Sequence, residues 1–279
     1  MNKLTNDKQL AVVAALVEGN SIRATVRMTG VAKNTVVKLL VDLGEACARY
    51  HDEHVRNVTA QRVQVDEIWS FCYAKQKNVP AAMRGQYGYG DVWTWTAIDA
   101  DSKLIVSYMA GLRDAGYAHE FLSDLRKRLA SRVQLTSDGL RLYFVAVPEV
   151  FGEAIDYAML VKVYGPDPGA EKRYSPAVCI ATRQEALIGN PEQKHVSTSF
   201  VERQNLTMRM GMRRFTRLTN GFSKKIENQE AAIALHFMHY NFCRIHQTLR
   251  VTPAMQAGLS DHAWEISELI ALLDGKKSN

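Results

Sequence analysis

The spacing of apolar residues divides the chain into a helical start and a strand-rich centre. Up to about residue 45 the apolar positions recur with a helical period. Leu10, Val13, Leu16 and Val17 form one stripe, and Glu18-Gly19-Asn20 ends it. Ser21 is placed to cap a second, short helix reaching Arg27, and Met28-Thr29-Gly30 reads as a turn. Val36, Val37, Leu39, Leu40 and Leu43 then mark a third helix. Residues 46–61 read as a helical connector of mixed charge. From Arg62 to Tyr73 the pattern becomes that of a strand, rich in Val, Ile, Trp and Phe. A second strand runs from Asp91 to Asp99, and a hairpin turn leads into a third from Lys103 to Met109. A helix from Tyr117 to Leu129 follows, with Phe121, Leu122, Leu125 and Leu129 on one side. Val133 to Thr136 is a fourth strand running into Ser137-Asp138-Gly139. A helix from Leu140, interrupted near Pro148, precedes a fifth strand at Ile155 to Tyr164. Residues 165–196 hold Pro166, Pro168, Pro176 and Pro191 and read as an irregular insertion with one short strand at Ala177 to Thr182. A helical stretch from Thr198, broken near Asn220-Gly221, is followed by a helix from Lys225 to Ile245 and a tail over 251–279. The whole specifies an α/β domain with a mixed sheet over 62–250, preceded by a small all-helical domain at 1–45.

The first 45 residues have the layout of a helix-turn-helix: a short second helix, a glycine turn, and a third helix with a polar leading edge. Lys33, Asn34, Thr35 and Lys38 would lead that third helix into a major groove. A small bundle serving packing or dimerisation would have the same apolar pattern.

Bulk composition narrows the class. With 279 residues, 47% hydrophobic and 23% charged, the chain is an ordinary globular protein with room for one large and one smaller domain. No apolar run has the ~18 residues of a membrane helix. The first residues carry no apolar signal core, so a cytoplasmic, nucleoid-associated location is expected. Four cysteines lie far apart without a Cys-x-x-Cys pair, which argues for buried free thiols. The net charge of +6 is unevenly spread. From Phe200 to Lys225 seven basic residues (Arg203, Arg209, Arg213, Arg214, Arg217, Lys224 and Lys225) face a single acid, Glu202. Such concentration fits a polyanionic partner better than a solvated helix, which mixes its signs.

Three acids are candidates for chemistry. Asp66 lies inside the apolar run Val-Gln-Val-Asp-Glu-Ile-Trp, where a carboxylate is costly to bury without a partner or a metal. Asp138 stands where a strand meets a turn, and Glu202 stands on a helix. Two strand-borne aspartates and a helix-borne glutamate can hold two divalent ions, Mg²⁺ or Mn²⁺, an arrangement suited to phosphodiester cleavage. Glu202, Asn205, Arg209 and Arg213 fall within one helical sector, so a metal ligand would be followed by phosphate-gripping groups. Two of the acids also have a plainer role: Asp138 as a turn residue before glycine, Glu202 as a helix-terminus acid. Glu67 points to the other face of its strand and reads as a structural or solvated neighbour. Trp69, Trp93 and Trp95 read as core rather than as a base-stacking platform. His236, His239 and His246 lack a fourth-ligand pattern and read as a helix surface and its end.

The order three strands, helix, strand, helix, strand resembles that of the ribonuclease-H-like fold. The run Ser-Thr-Ser-Phe-Val-Glu-Arg-Gln-Asn-Leu-Thr-Met-Arg at 197–209 resembles the glutamate motif of bacterial insertion-sequence transposases, more narrowly the family of the first-numbered insertion sequence. Tyr-Asn-Phe-Cys-Arg-Ile-His-Gln-Thr-Leu-Arg-Val-Thr-Pro-Ala at 240–254 is similar to the ending of such proteins. Val65-Asp66-Glu67-Ile68-Trp69 and Thr136-Ser137-Asp138-Gly139 match the two aspartate motifs. The resemblance implies a catalytic Asp66, Asp138, Glu202 triad holding two Mg²⁺ or Mn²⁺ ions, with Arg209 at the arginine position seven residues after the glutamate. It implies double-stranded DNA partners, namely terminal inverted repeats and a target, and a homodimer or higher oligomer. Some relatives carry an N-terminal cysteine-rich zinc module that this chain lacks, so end recognition would rest on the helix-turn-helix and the basic helix, with Arg203, Asn205, Arg209, Arg213, Arg214 and Arg217 as the DNA contacts. Two other readings fit the same residues: a non-catalytic DNA-binding regulator, and a metal nuclease that only hydrolyses.

Overall fold

A computed structural model describes residues 4–165, 178–216 and 220–277. Three helices open the chain: α1 (Asn6–Val17), α2 (Ile22–Thr29) and α3 (Lys33–His54). Ser21 Oγ accepts the Ala24 N–H at 3.1 Å and so caps α2. Gly30, at φ 69°, ends the helix in the left-handed conformation that glycine takes without a Cβ penalty.

The central sheet has six strands: β1 (Arg62–Cys72), β2 (Gly90–Asp99), β3 (Ile105–Gly111), β4 (Gln134–Asp138), β5 (Asp156–Gly165) and β6 (Val178–Ile188). Their spatial order is β3-β2-β1-β4-β5-β6. β1 pairs antiparallel with β2 and parallel with β4, β4 is parallel to β5, and β6 closes the edge antiparallel to β5. The remaining helices are α4 (Ala115–Arg128), α5 (Arg141–Phe151), α6 (Ser199–Gly211), α7 (Ile226–Met238), α8 (Pro253–Gln256) and α9 (Ile266–Ala271). α4 and α5 return the chain between parallel strands and cover one face, where Trp95, Phe121 and Tyr143 pack as rings 5.7–5.9 Å apart. α6 lies against β1. The expected class, a mixed α/β sheet flanked by helices in ribonuclease-H-like order, is the class the structure has. Among the described residues no helix is long and apolar enough to cross a membrane.

Several local expectations change. α3 runs without a break through residue 45, where a domain boundary was expected, because Ala46, Cys47 and His51 continue its buried face. That face packs on α7. α5 continues through Pro148 for three residues before Gly152 turns the chain at φ 56°. The expected irregular insertion holds an eleven-residue strand, β6. It extends the short strand expected at 177–182; most of β6 is exposed on both faces, so no alternation of apolar and polar residues marked its full length. Pro166, Pro168 and Pro176 lie outside the described residues. α6 ends at Gly211, earlier than the expected break near Asn220, and a 3-10 turn at Arg213–Phe215 follows. Gly211 lies under the turn after α1: a Cβ on Gly19 would stand 2.7 Å from the Gly211 carbonyl oxygen.

The turn after α7 also has a structural task. Asn241 Oδ1 accepts the Ile105 N–H at 2.9 Å, and its Nδ2 donates to the Ile105 carbonyl at 3.0 Å. One buried amide thus satisfies both backbone groups of a residue on the edge strand β3.

The α3–α7 contact is close enough to be tested by one methyl group. A Cβ on Gly44 would lie 2.4–2.5 Å from the Ala231 backbone. Gly44→Ala should therefore destabilise the protein by about 1–3 kcal/mol, although alanine is the better helix former. Urea unfolding measures this; a stabilised variant would show that the helices are not in contact there.

Candidate metal site

The site grows from the end of one parallel ladder. β1 and β4 pair from Arg62↔Gln134 to Val65↔Ser137, where the pairing stops. The next residue on each strand is an aspartate, Asp66 and Asp138. Two neighbouring parallel strands thereby bring both carboxylates to one gap in the sheet. Asp66 is half-buried beside the fully buried Val65 and Ile68, and Asp138 is half-buried too.

Each aspartate is tethered. Asp66 Oδ1 accepts the Glu67 N–H at 2.9 Å, and Asp66 Oδ2 accepts Asn205 Nδ2 at 2.8 Å. Asn205 was expected to face DNA; its amide is buried and holds a carboxylate. Asp138 Oδ1 accepts the Leu140 N–H at 2.9 Å, the turn contact its sequence context suggested.

A third carboxylate joins them, and it is Glu67. Ligand oxygens of Asp66, Glu67 and Asp138 all lie within 4.8 Å of one another. Glu67 was expected on the opposite face as a structural or solvated neighbour. It does point to the α5 side, where the buried Tyr143 hydroxyl donates to its Oε2 at 3.2 Å. Arg113 donates to its Oε1 from Nε at 2.9 Å and from Nη2 at 2.5 Å. Because β4 ends at Asp138, no neighbouring strand separates the two faces at this height, and both open on the same gap. The Glu67 side chain is 1% exposed. An acid followed by another acid in an apolar strand was the available signal.

Glu202 stands in the first turn of α6, outside that close group. Its Oε1 is paired with Lys162 Nζ of β5 and accepts the Thr198 hydroxyl. Its charge still reaches both aspartates and raises their proton affinity. Gln64 of β1 sets the helix: its Oε1 accepts the N–H groups of Phe200 at 2.8 Å and Val201 at 3.2 Å. A buried strand amide thus caps the helix that carries Glu202.

The electrostatics of the group are those of crowded anions. Burial first, then Glu67 and Asp138, pushes Asp66 up to about 7. Burial also raises Glu67, with Asp138 adding to it and Arg113 opposing. Burial raises Asp138 as well. Three hard oxygen donors that each resist ionisation suit a divalent cation, which would reverse the penalty. Among the described residues this is the one group of acids, histidines and cysteines gathered closely enough to hold a metal. His236, expected at a helix surface, is buried with its Nε2 unpaired, and burial lowers it to about 3.

The proposed DNA contacts are spread over several elements. Lys33, Asn34, Thr35 and Lys38 are all exposed on the first turns of α3, and Lys38 pairs with Asp42 at 2.6 Å. Arg203 and Arg213 are exposed, while Arg209 and Arg214 are half-buried. Arg213 lies beyond the end of α6, so the shared sector reduces to Glu202, Asn205 and Arg209. Arg217 lies outside the described residues. Sequence reasoning missed Glu67, Arg113, Lys162 and Gln64.

No family model matches the chain, and no curated protein matches it. Solved structures similar to it include the piggyBac transposase synaptic complex with hairpin DNA, at 10% identity and a TM-score of 0.41, covering 100% of this chain and 75% of that one. The Mos1 strand transfer complex is similar at 12% identity and a TM-score of 0.25, covering 86% and 78%. The Mos1 mariner paired end complex with Mn is similar at 11% identity and a TM-score of 0.23, covering 54% and 57%. At these TM-scores the likeness carries no functional argument, and the site must be read from its own geometry.

The raised Asp66 gives a pH dependence with a definite sign. Well below its ordinary pKa the carboxyl is neutral in both folded and unfolded chains, and nothing is lost. As pH rises from about 4 to about 7 the unfolded chain releases this proton while the folded one holds it, so stability falls. Without metal, urea unfolding should show a loss on the order of a few kcal/mol between about pH 4 and pH 8. Asp66→Asn should flatten that part of the curve. Parallel curves for variant and wild type would place the coupling elsewhere.

Proposed function

We propose that this chain is a metal-dependent DNA-cutting and joining enzyme, a transposase of the Asp-Asp-Glu type. The observation that carries the reading is the meeting of Asp66 and Asp138 where the β1–β4 ladder stops. Together with Glu67 they offer a compact all-oxygen donor set, and Glu202 stands at the same site's helical wall. Mg²⁺ or Mn²⁺, as one or two ions, would be held by Asp66 and Asp138 with Glu202 or Glu67, and would supply the Lewis acidity that phosphodiester transfer requires.

The chain's own residues supply the rest. Asn205 fixes the orientation of Asp66, leaving the carboxylate little rotational freedom. Arg113 and Tyr143 hold Glu67 in place, so its position does not depend on a ligand. Lys162, beside Glu202 on β5, is positioned to release its carboxylate partner and grip a phosphate oxygen. Arg203, Arg209 and Arg213 add positive charge along and just beyond α6, where a DNA backbone would pass. The exposed start of α3 would read the element's end in a major groove. Two ends must be held together for transfer, which calls for a dimer or a larger assembly.

Incubation with labelled DNA ends and Mg²⁺ or Mn²⁺ tests the proposal. Asp66→Asn and Asp138→Asn should each reduce cutting and joining by at least about a hundredfold, with DNA binding retained. Glu202→Gln and Glu67→Gln separate the two candidates for the third ligand: the one that abolishes activity is the ligand, and the other should retain a measurable rate. Wild-type activity in both aspartate variants would remove the proposal. Cutting without joining would assign a nuclease, and binding without either would assign a regulator.

A further inference from the structure

On the Glu67 face, β1 continues past the carboxylates into a groove of about 740 Å³. Trp69 and Phe71 follow Glu67 at alternate positions, so all three share one side of the strand. Their rings lie 5.8 Å apart, and Phe222 packs 4.8 Å from Phe71 at a similar tilt. Trp69 and Phe71 are half-exposed, unlike Trp95, which is fully buried. The expectation that the tryptophans are simply core therefore holds for Trp95 and not for Trp69.

The groove's charge is one-sided. Lys75 and Lys77 are exposed on its rim, and no described residue lining it is acidic. Arg214 adds a third cation from the turn after α6, and its Nε donates to Ser223 Oγ at 2.7 Å. Among the described residues no carboxylate pairs with Arg214. The end of β1 is tied to the same segment: the Tyr73 N–H donates to the Ser223 carbonyl at 2.8 Å, and Tyr73 takes φ 65°. A bulky aromatic in the left-handed region is a conformation that surrounding structure must impose.

We propose that this groove binds unpaired DNA nucleotides next to the cutting site, stacking bases on Trp69, Phe71 and Phe222 and holding phosphates with Arg214, Lys75 and Lys77. This rests on the function proposed above. Half-exposed rings in a row offer faces to any base, and cations without carboxylate partners suit a phosphate backbone. Two residues of strand separate Glu67 from Trp69, about 7 Å. A phosphate at the carboxylates therefore leaves its neighbouring bases over the rings. A duplex keeps its bases stacked on each other and cannot use them, so the groove selects strand ends that have opened.

Binding is measured in EDTA with the full chain, which separates it from cleavage. The probes are a thymidine single strand about ten nucleotides long and a blunt duplex of equal length. Trp69→Leu and Phe222→Leu should each weaken single-strand binding by roughly tenfold, the worth of one lost stack, and leave duplex binding within about twofold. Lys75→Glu with Lys77→Glu alters only exposed side chains, leaves the buried core untouched, and should give a comparable loss. A bromodeoxyuridine-substituted strand should photocrosslink to the peptide containing Trp69–Tyr73 or to that containing Phe222. Wild-type single-strand affinity in all these variants, or crosslinks confined to other segments, overturns the proposal. So does loss of self-association in Trp69→Leu with single-strand binding intact, since the groove would then be a subunit contact. If wild type cuts and joins DNA while these variants bind normally, only the groove is wrong. If the groove binds and no cutting occurs, only the proposed activity is wrong.

Discussion

The short parallel pairing of β1 with β4 is the constraint on which the site depends. A parallel ladder needs a crossover, and here α4 and its covering contacts with α5 return the chain so that β4 arrives beside β1. The ladder spans only four residue pairs and ends one step before an aspartate on each strand. Backbone hydrogen bonds that would otherwise fill the space stop there. What opens is a gap into which acids from two strands converge. Moving either strand by one residue would turn its aspartate to the other face of the sheet.

That placement has an electrostatic consequence throughout the surroundings. Asp66, Glu67 and Asp138 all hold their protons more tightly than free carboxyls, with burial as the leading cause. The fold counters the crowding without cancelling it. Arg113 neutralises Glu67, and its guanidinium lies 4.5 Å from the Trp93 ring centre. Lys162 neutralises Glu202. Among the described residues no basic side chain is bonded to Asp66, which is held by an amide and a backbone N–H. A strong positive charge is therefore still favoured at the gap, and that residual demand is what makes the site a metal centre in our reading.

Much of this was legible in the order of residues. An aspartate within an apolar strand has few structural uses, so Asp66 stood out. The sequence of strands and helices led to the sheet class, because βαβ crossovers and hairpins leave different periodicities. Glu67 was hidden by a correct local rule applied too widely. Alternation does place it on the opposite face from Asp66, but a rule about one strand cannot show where the neighbouring strand ends. The end of α6 at Gly211 was missed because the apolar pattern continued past it, while a Cβ at Gly211 would stand 3.3 Å from the His236 ring, which favours the small residue there. β6 was foreseen only as a short strand at 177–182, and its full length was missed because it buries no face. Gln64 and Asn241 read as ordinary polar residues in a strand and a helix, and only tertiary structure shows each bonding a backbone far away in sequence.

The central claim is that Asp66 and Asp138 form one divalent metal centre at the end of the β1–β4 ladder. Crystals soaked in Mn²⁺ and measured at its absorption edge test it most directly. The account predicts an anomalous peak at bonding distance from oxygens of both aspartates, with Glu67 or Glu202 completing the protein's share of ligands. The absence of a peak at the aspartates in crystals saturated with Mn²⁺, or a peak bound by other residues alone, would contradict it.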